Sequence, residues 1–87
     1  MTSATTPFHQ PQLTKNLVAL VQAIRREQNV SIERLTSWMT DEGYPINYHQ
    51  YAAIEDGKTK AVPVEVIVRG ALYLEIPATT LFPMLDF

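Results

Sequence analysis

The sequence predicts an all-α fold, a compact bundle of about five short helices containing a helix-turn-helix with an elongated turn. Three observations carry that expectation. Apolar residues recur at helical spacing through Leu13, Leu17, Leu20, Val21 and Ile24. Ser31 and Asn47 each stand where a side-chain oxygen can cap a new helix. The one run with strong strand propensity, around Val62 to Val68, has no second run that could pair with it.

Residues 1–10 lack periodicity and are rich in Thr, Ser and Pro, which predicts a disordered N-terminal tail. That tail carries no Lys or Arg with which to grip a polyanion. The first helix is expected from about Pro11 to Gln28, with Asn29 as a left-handed terminator. Ser31 caps the second, where Val30 and Leu35 form a hydrophobic staple and Glu33 sits near the positive end of the helix dipole. Its buried stripe is expected to be Ile32, Leu35, Trp38 and Met39. Thr40 to Pro45 then reads as a long turn, since Gly43 permits positive φ and Pro45 disfavours a helical Tyr44.

The segment Ile46 to Lys60 holds the strongest local signal. Asn47 and Gln50 have capping-box spacing, and Ile46 and Tyr51 hold the two positions of a staple. Tyr48, His49 and Gln50 are therefore expected to point outward from the first turn, with Tyr51 and Ile54 facing the core. Gly57 suits the left-handed residue past the last turn, and Lys58 and Lys60 follow it. A fourth helix is expected from about Val64 to Leu74, burying Ile67, Ala71 and Leu74. A fifth begins near Pro77, buries Leu81 and Phe82 and is broken by Pro83. The division is thus a tail over 1–10, one domain over 11–82 and an apolar extension over 83–87.

Composition narrows the function classes. The 87 residues, 46% of them hydrophobic, suffice for one small domain, and the absence of cysteine removes disulfides and thiolate metal sites. The first residues have neither a charged n-region nor an apolar h-region, and no apolar run approaches ~18 residues. The expectation is a cytoplasmic protein with no membrane partner. A net charge of -2 argues against a general polyanion binder. Segregated charge can still give a local basic face, and Glu65, Glu75 and Asp86 lie away in sequence from Lys58 and Lys60. His49 is a poor metal ligand candidate because His9, in the tail, is the other histidine. No nucleophile elbow accompanies the Ser, His and Asp residues, and Gly57-Lys58-Thr59 lacks the earlier glycine of a phosphate-binding loop. Neither an enzyme nor a cofactor is expected.

Three blocks stand in a telling order: Ile24-Arg25-Arg26-Glu27 with Val30-Ser31, then Ile54-Glu55-Asp56-Gly57-Lys58-Thr59-Lys60, then Ile76-Pro77 with Leu81-Phe82. From Leu17 to Phe82 the chain resembles the XRE-like, phage repressor and Cro type of helix-turn-helix family. The resemblance implies a sequence-specific regulator of transcription that reads double-stranded DNA in the major groove with residues 48–55. It implies base contacts from Asn47, Tyr48, His49, Gln50, Ala52 and Ala53, backbone contacts from Lys58, Thr59 and Lys60, and a structural ion pair between Arg25 and Glu55.

The chain also departs from that pattern. Ile32 follows the second cap where the family commonly has Gln, Ala53 stands where a long polar side chain often reads a base, and the turn before the third helix is about five residues longer. These departures keep a second reading open, a helix-turn-helix turned to protein partners such as an antirepressor, antitoxin or regulatory subunit. Leu81-Phe82-Pro83-Met84-Leu85-Asp86-Phe87 is apolar enough to suggest a homodimer through the C-terminal region, or a tail folded back on its own core.

Overall fold

Helical periodicity fails at four places between Glu27 and Ala78, and the chain changes direction at each. A computed structural model describes residues 11–85 and, within them, the side chains of residues 12–81. It contains α1 (Pro11–Glu27), α2 (Ile32–Asp41), α3 (Tyr48–Glu55), α4 (Val64–Tyr73) and α5 (Ala78–Leu85), with no strand among the described residues. The tail expected over 1–10 lies outside them, as do the side chains of Phe82, Met84, Leu85 and Phe87.

One backbone device closes all four junctions. Asn29, Gly43, Gly57 and Glu75 take positive φ, at 59°, 97°, 75° and 59°. At each, the next residue's N–H donates back to a carbonyl in the last turn: Val30 to Arg25, Tyr44 to Met39, Lys58 to Ala53 and Ile76 to Ala71, at 2.8–3.0 Å. This Schellman closure satisfies carbonyls that a helix end would leave open. Three of the four left-handed positions carry Asn or Gly, which tolerate that backbone, and the fourth carries Glu75.

The buried residues come from every junction and helix in turn. Leu17 and Val21 of α1 meet Leu35 and Met39 of α2, Tyr51 and Ile54 of α3, and Val66, Ile67 and Ala71 of α4, with Val30, Leu74 and Ile76 closing the ends. α1 is the central element, packed against α3, α4 and α5, while α2 packs against α3 and α4. The β-branched run of α4 is helical because its apolar residues serve two faces. Val66, Ile67, Gly70 and Ala71 are buried, whereas Val64, Val68 and Leu72, spaced by four, stay exposed.

The turn between α2 and α3 covers residues 42–47 and is pinned rather than loose. Thr40 bridges it, its hydroxyl donating to the Ile46 carbonyl at 3.3 Å and accepting from the Ile46 N–H at 3.4 Å. The Arg69 guanidinium covers the Tyr44 ring at 5.5 Å and is itself held by Glu65 at 2.8 Å.

One expectation is corrected. Pro83 does not break α5, which runs on to Leu85, so the boundary expected between residues 82 and 83 falls inside a helix. Pro83 removes one N–H, the partner of the Thr79 carbonyl, but Thr79 is exposed and water can satisfy that carbonyl while the neighbouring turns continue. Leu81 is half-buried as part of this packing.

The junctions make a stability test of opposite signs. No atom would lie within 4 Å of a Cβ at Gly43, so Gly43→Ala is opposed by backbone conformation alone and should cost ~1–2 kcal/mol. Glu75→Gly relieves the same strain and should gain up to ~1 kcal/mol. Urea midpoints measure both, and a loss in the second variant would refute this account of the α4 end.

Candidate functional site

α3 has only eight residues, too few for a helix to persist on its own propensity. Its first turn is therefore held from outside. Asn47 Oδ1 accepts from the Gln50 N–H at 2.8 Å while Gln50 Oε1 accepts from the Asn47 N–H at 2.9 Å, a reciprocal capping box. Beneath it Tyr51 is buried and Ile46 half-buried, the two ends of the staple. Asn47, Tyr48, His49 and Gln50 are all exposed, Tyr48 at 47%. The Tyr48 and His49 rings meet edge to face with centroids 5.6 Å apart.

The other end of α3 is tied to α1. Arg25 Nε donates to Glu55 Oε2 and Arg25 Nη2 to Glu55 Oε1, both at 2.8 Å, a bidentate pair with side chains 10% and 3% exposed. Arg25 Nη1 donates to the Val30 carbonyl at 2.8 Å, so the same guanidinium also braces the α1–α2 junction. The Tyr51 hydroxyl and the Gln22 side chain also favour the ionised Glu55 carboxylate. Burial pushes the Glu55 carboxyl up, but the bonds from Arg25 and Tyr51 outweigh it and hold the group below the usual carboxylate range. The Glu55 hydrogen bond raises Arg25 further above its ordinary value against the effect of burial. Burial, then the bond to Glu55, raises the Tyr51 hydroxyl well above its usual range.

The remaining expected residues fall around two grooves. Gln50, Ala53 and Thr59 line an open groove of about 410 Å³ whose other walls are Tyr44, Pro45, Ile46, Ala61 and Pro63. Ala52, like Ala53, is half-buried further along α3. Thr59 and Lys60 also line a second groove, of about 480 Å³, beside Lys15 and Gln22 of α1 and next to Glu55 and Asp56. Lys15 is a cation that no spacing in the sequence connected to the Lys58–Lys60 turn; only the packing of α1 brings it there. Asp56 is a nearby opposing charge, closer than the late acids considered from the sequence.

Lys58 stands out among the junctions. The equivalent position is Val30, Tyr44 and Ile76 in the others, apolar and buried or half-buried, as the motif usually has it. Here it is an exposed Lys. The backbone closure is kept and its apolar contact is given up, the kind of local departure expected where a side chain serves something other than folding. Comparison of the chain with family models, curated proteins and solved structures finds no match. No helix among the described residues is long and apolar enough to cross a membrane.

The ion pair predicts a specific pattern of loss. Arg25→Met or Glu55→Gln alone should cost ~3–5 kcal/mol, because each leaves a buried charge unpaired, and the double variant should cost less than the two single losses added. Additive losses would refute the coupling. Since Glu55 is depressed in the folded chain, its contribution is full above its ordinary value, about pH 4.5, and is lost as pH falls through the folded value. Wild-type stability should therefore drop below about pH 4.5 more steeply than that of Glu55→Gln.

Proposed function

We propose that the protein is a sequence-specific double-stranded DNA-binding regulator of transcription that places α3 in the major groove. The observation that carries this reading is the pairing of an exposed, capped first turn at Asn47 to Gln50 with a following turn that substitutes exposed Lys58 for the usual apolar residue. Docking a recognition helix by its N-terminal residues is the common geometry of helix-turn-helix proteins. Asn47, Tyr48, His49 and Gln50 approach base edges, Ala52 and Ala53 offer methyl surface further along, and Lys58, Thr59 and Lys60 meet phosphates. Lys15 extends the cationic side of the second groove toward the same backbone. The order of motifs resembling the XRE-like family supports the same reading.

A second reading has its own observation. The groove beside Ala53 is walled largely by Tyr44, Pro45, Ile46, Ala61 and Pro63, and α4 exposes Val64, Val68 and Leu72 nearby in sequence. Apolar walls of this kind suit a protein partner, as in an antirepressor, antitoxin or regulatory subunit. Exposed cations at the α3 exit weigh toward DNA.

Fluorescence titration of a randomised duplex pool at low salt should show binding, and Lys58→Ala with Lys60→Ala should weaken it for all sequences. If both neutralise phosphates, the slope of log affinity against log salt falls by ~1–2 units. No binding to any pool removes the DNA reading, and an unchanged slope removes these two contacts.

The regulator acts as a homodimer through its C-terminal region in this proposal, because one such domain covers a half-site and a net charge of -2 leaves little non-specific affinity. Sedimentation should show dimers for the intact chain and monomers for a folded chain ending at Phe82. A monomer at high micromolar concentration with and without DNA refutes the dimer, and a truncation that unfolds assigns the segment to its own core.

A further inference from the structure

α4 carries an apolar row that its own fold leaves uncovered. Val64, Val68 and Leu72 follow one another at intervals of four, and all three are exposed, Leu72 at 66%. Helix propensity alone does not call for valine at two of these positions, since β-branched side chains are poorer helix formers than the long polar residues that suit a solvated face. A row of this spacing is one of the ridges that helices set into each other's grooves. Beside it runs a second row, Glu65 and Arg69, the acid one turn before the base, joined at 2.8 Å and partly exposed.

We infer that the apolar row is covered by the same row of a second copy, the two α4 helices crossing antiparallel about a twofold axis at Val68. This contact rests on the homodimer proposed above and lies within it. The order of the charges decides for a second copy and for this orientation. An antiparallel twofold keeps the Glu65 and Arg69 flanks of both helices on one side of the contact and reverses the direction of one of them. Glu65 of one copy then stands about 3 Å along the axis from Arg69 of the other, counting 1.5 Å per residue from Val68. Two separate surface pairs become one alternating cluster of four charges. A parallel twofold would instead set the charged flank against that of Ile67 and Ala71, which the core already buries. Three side chains fall short of the ~800 Å² per partner of a standard interface, so α4 supplements the C-terminal segment and does not replace it.

Glu65→Arg makes the flank wholly basic, and Arg69→Glu makes it wholly acidic. By sedimentation each variant alone should show a dimer Kd raised at least ~10-fold, because like charges then face each other twice across the axis. Their equimolar mixture should return to near the wild-type Kd, which neither a loss of folding nor the loss of the Glu65 pair within one helix can produce. Since the chain has no cysteine, Val68→Cys should cross-link to its own copy on oxidation. Leu72→Cys should not, its two copies lying about 12 Å apart along the axis, too far for a disulfide. Charge variants that stay dimeric, or a mixture no tighter than its components, overturn this contact and leave the homodimer standing. So does cross-linking as fast at position 72 as at position 68. A monomeric wild-type chain overturns the homodimer and this contact together.

Discussion

Arg25 meets Glu55 across the middle of the molecule, and the orientation of α3 depends on that contact. A guanidinium presents its donors in a fixed planar fork, and here three of them are committed: two to one carboxylate and one to the Val30 carbonyl. The carboxylate lies at the last residue of α3, and the carbonyl lies between α1 and α2. One side chain therefore fixes the roll of α3 about its axis relative to two other helices. With Glu55 and Tyr51 turned inward, Tyr48 and His49 have to face out. Burial opposes both charges, and the hydrogen bonds outweigh that cost because the geometry is bidentate.

Much of the architecture was legible because its signals are local. Caps, staples and left-handed residues lie within a few positions of one another, and Ser31, Asn47, Asn29, Gly43 and Gly57 all occupy the roles their chemistry favours. Glu75 was not legible as a left-handed residue, since nothing in a Glu side chain prefers that backbone; the burial of Leu74 and Ile76 on either side imposes it. Pro83 marks a similar limit, since a strong local breaker does not stop α5 from running on to Leu85. The walls of the two grooves were illegible for a different reason. Lys15 lines the same groove as Lys60, and Arg69 covers Tyr44, through packing between segments far apart in sequence, which no spacing rule encodes.

Electrostatics at the candidate face is a matter of neighbours, since exposed charges beyond a Debye length of about 8 Å are largely screened at physiological salt. Glu55 is neutralised by Arg25, and Glu65 is spent on Arg69. That leaves Asp56 as the acid lining the groove that Lys15 and Lys60 share. The net charge of the whole chain thus understates the cationic character available around the α3 exit. Asp41 and Glu42 are exposed where the long turn into α3 begins, a second local source of negative charge.

The length of that turn changes what α3 has to supply for itself. A short turn would let α2 buttress the start of α3 directly. With residues 42–47 intervening, the start is held instead by Thr40 at one end, Arg69 over Tyr44 in the middle and the capping box at the other. Each is a directional contact at a partly exposed position, worth about 1 kcal/mol, so the first turn is set by several modest constraints added to the burial of Tyr51 beneath it. Such an end is ordered before any partner arrives, which lowers the entropy lost on binding. It is also sensitive: a partner that competes for Asn47 or Gln50 as hydrogen-bond acceptors would draw directly on the stability of an eight-residue helix. Contacts that leave the two cap hydrogen bonds in place avoid that cost, so the energetics of so short a helix restrict which side chains of its first turn can be drawn into an interface.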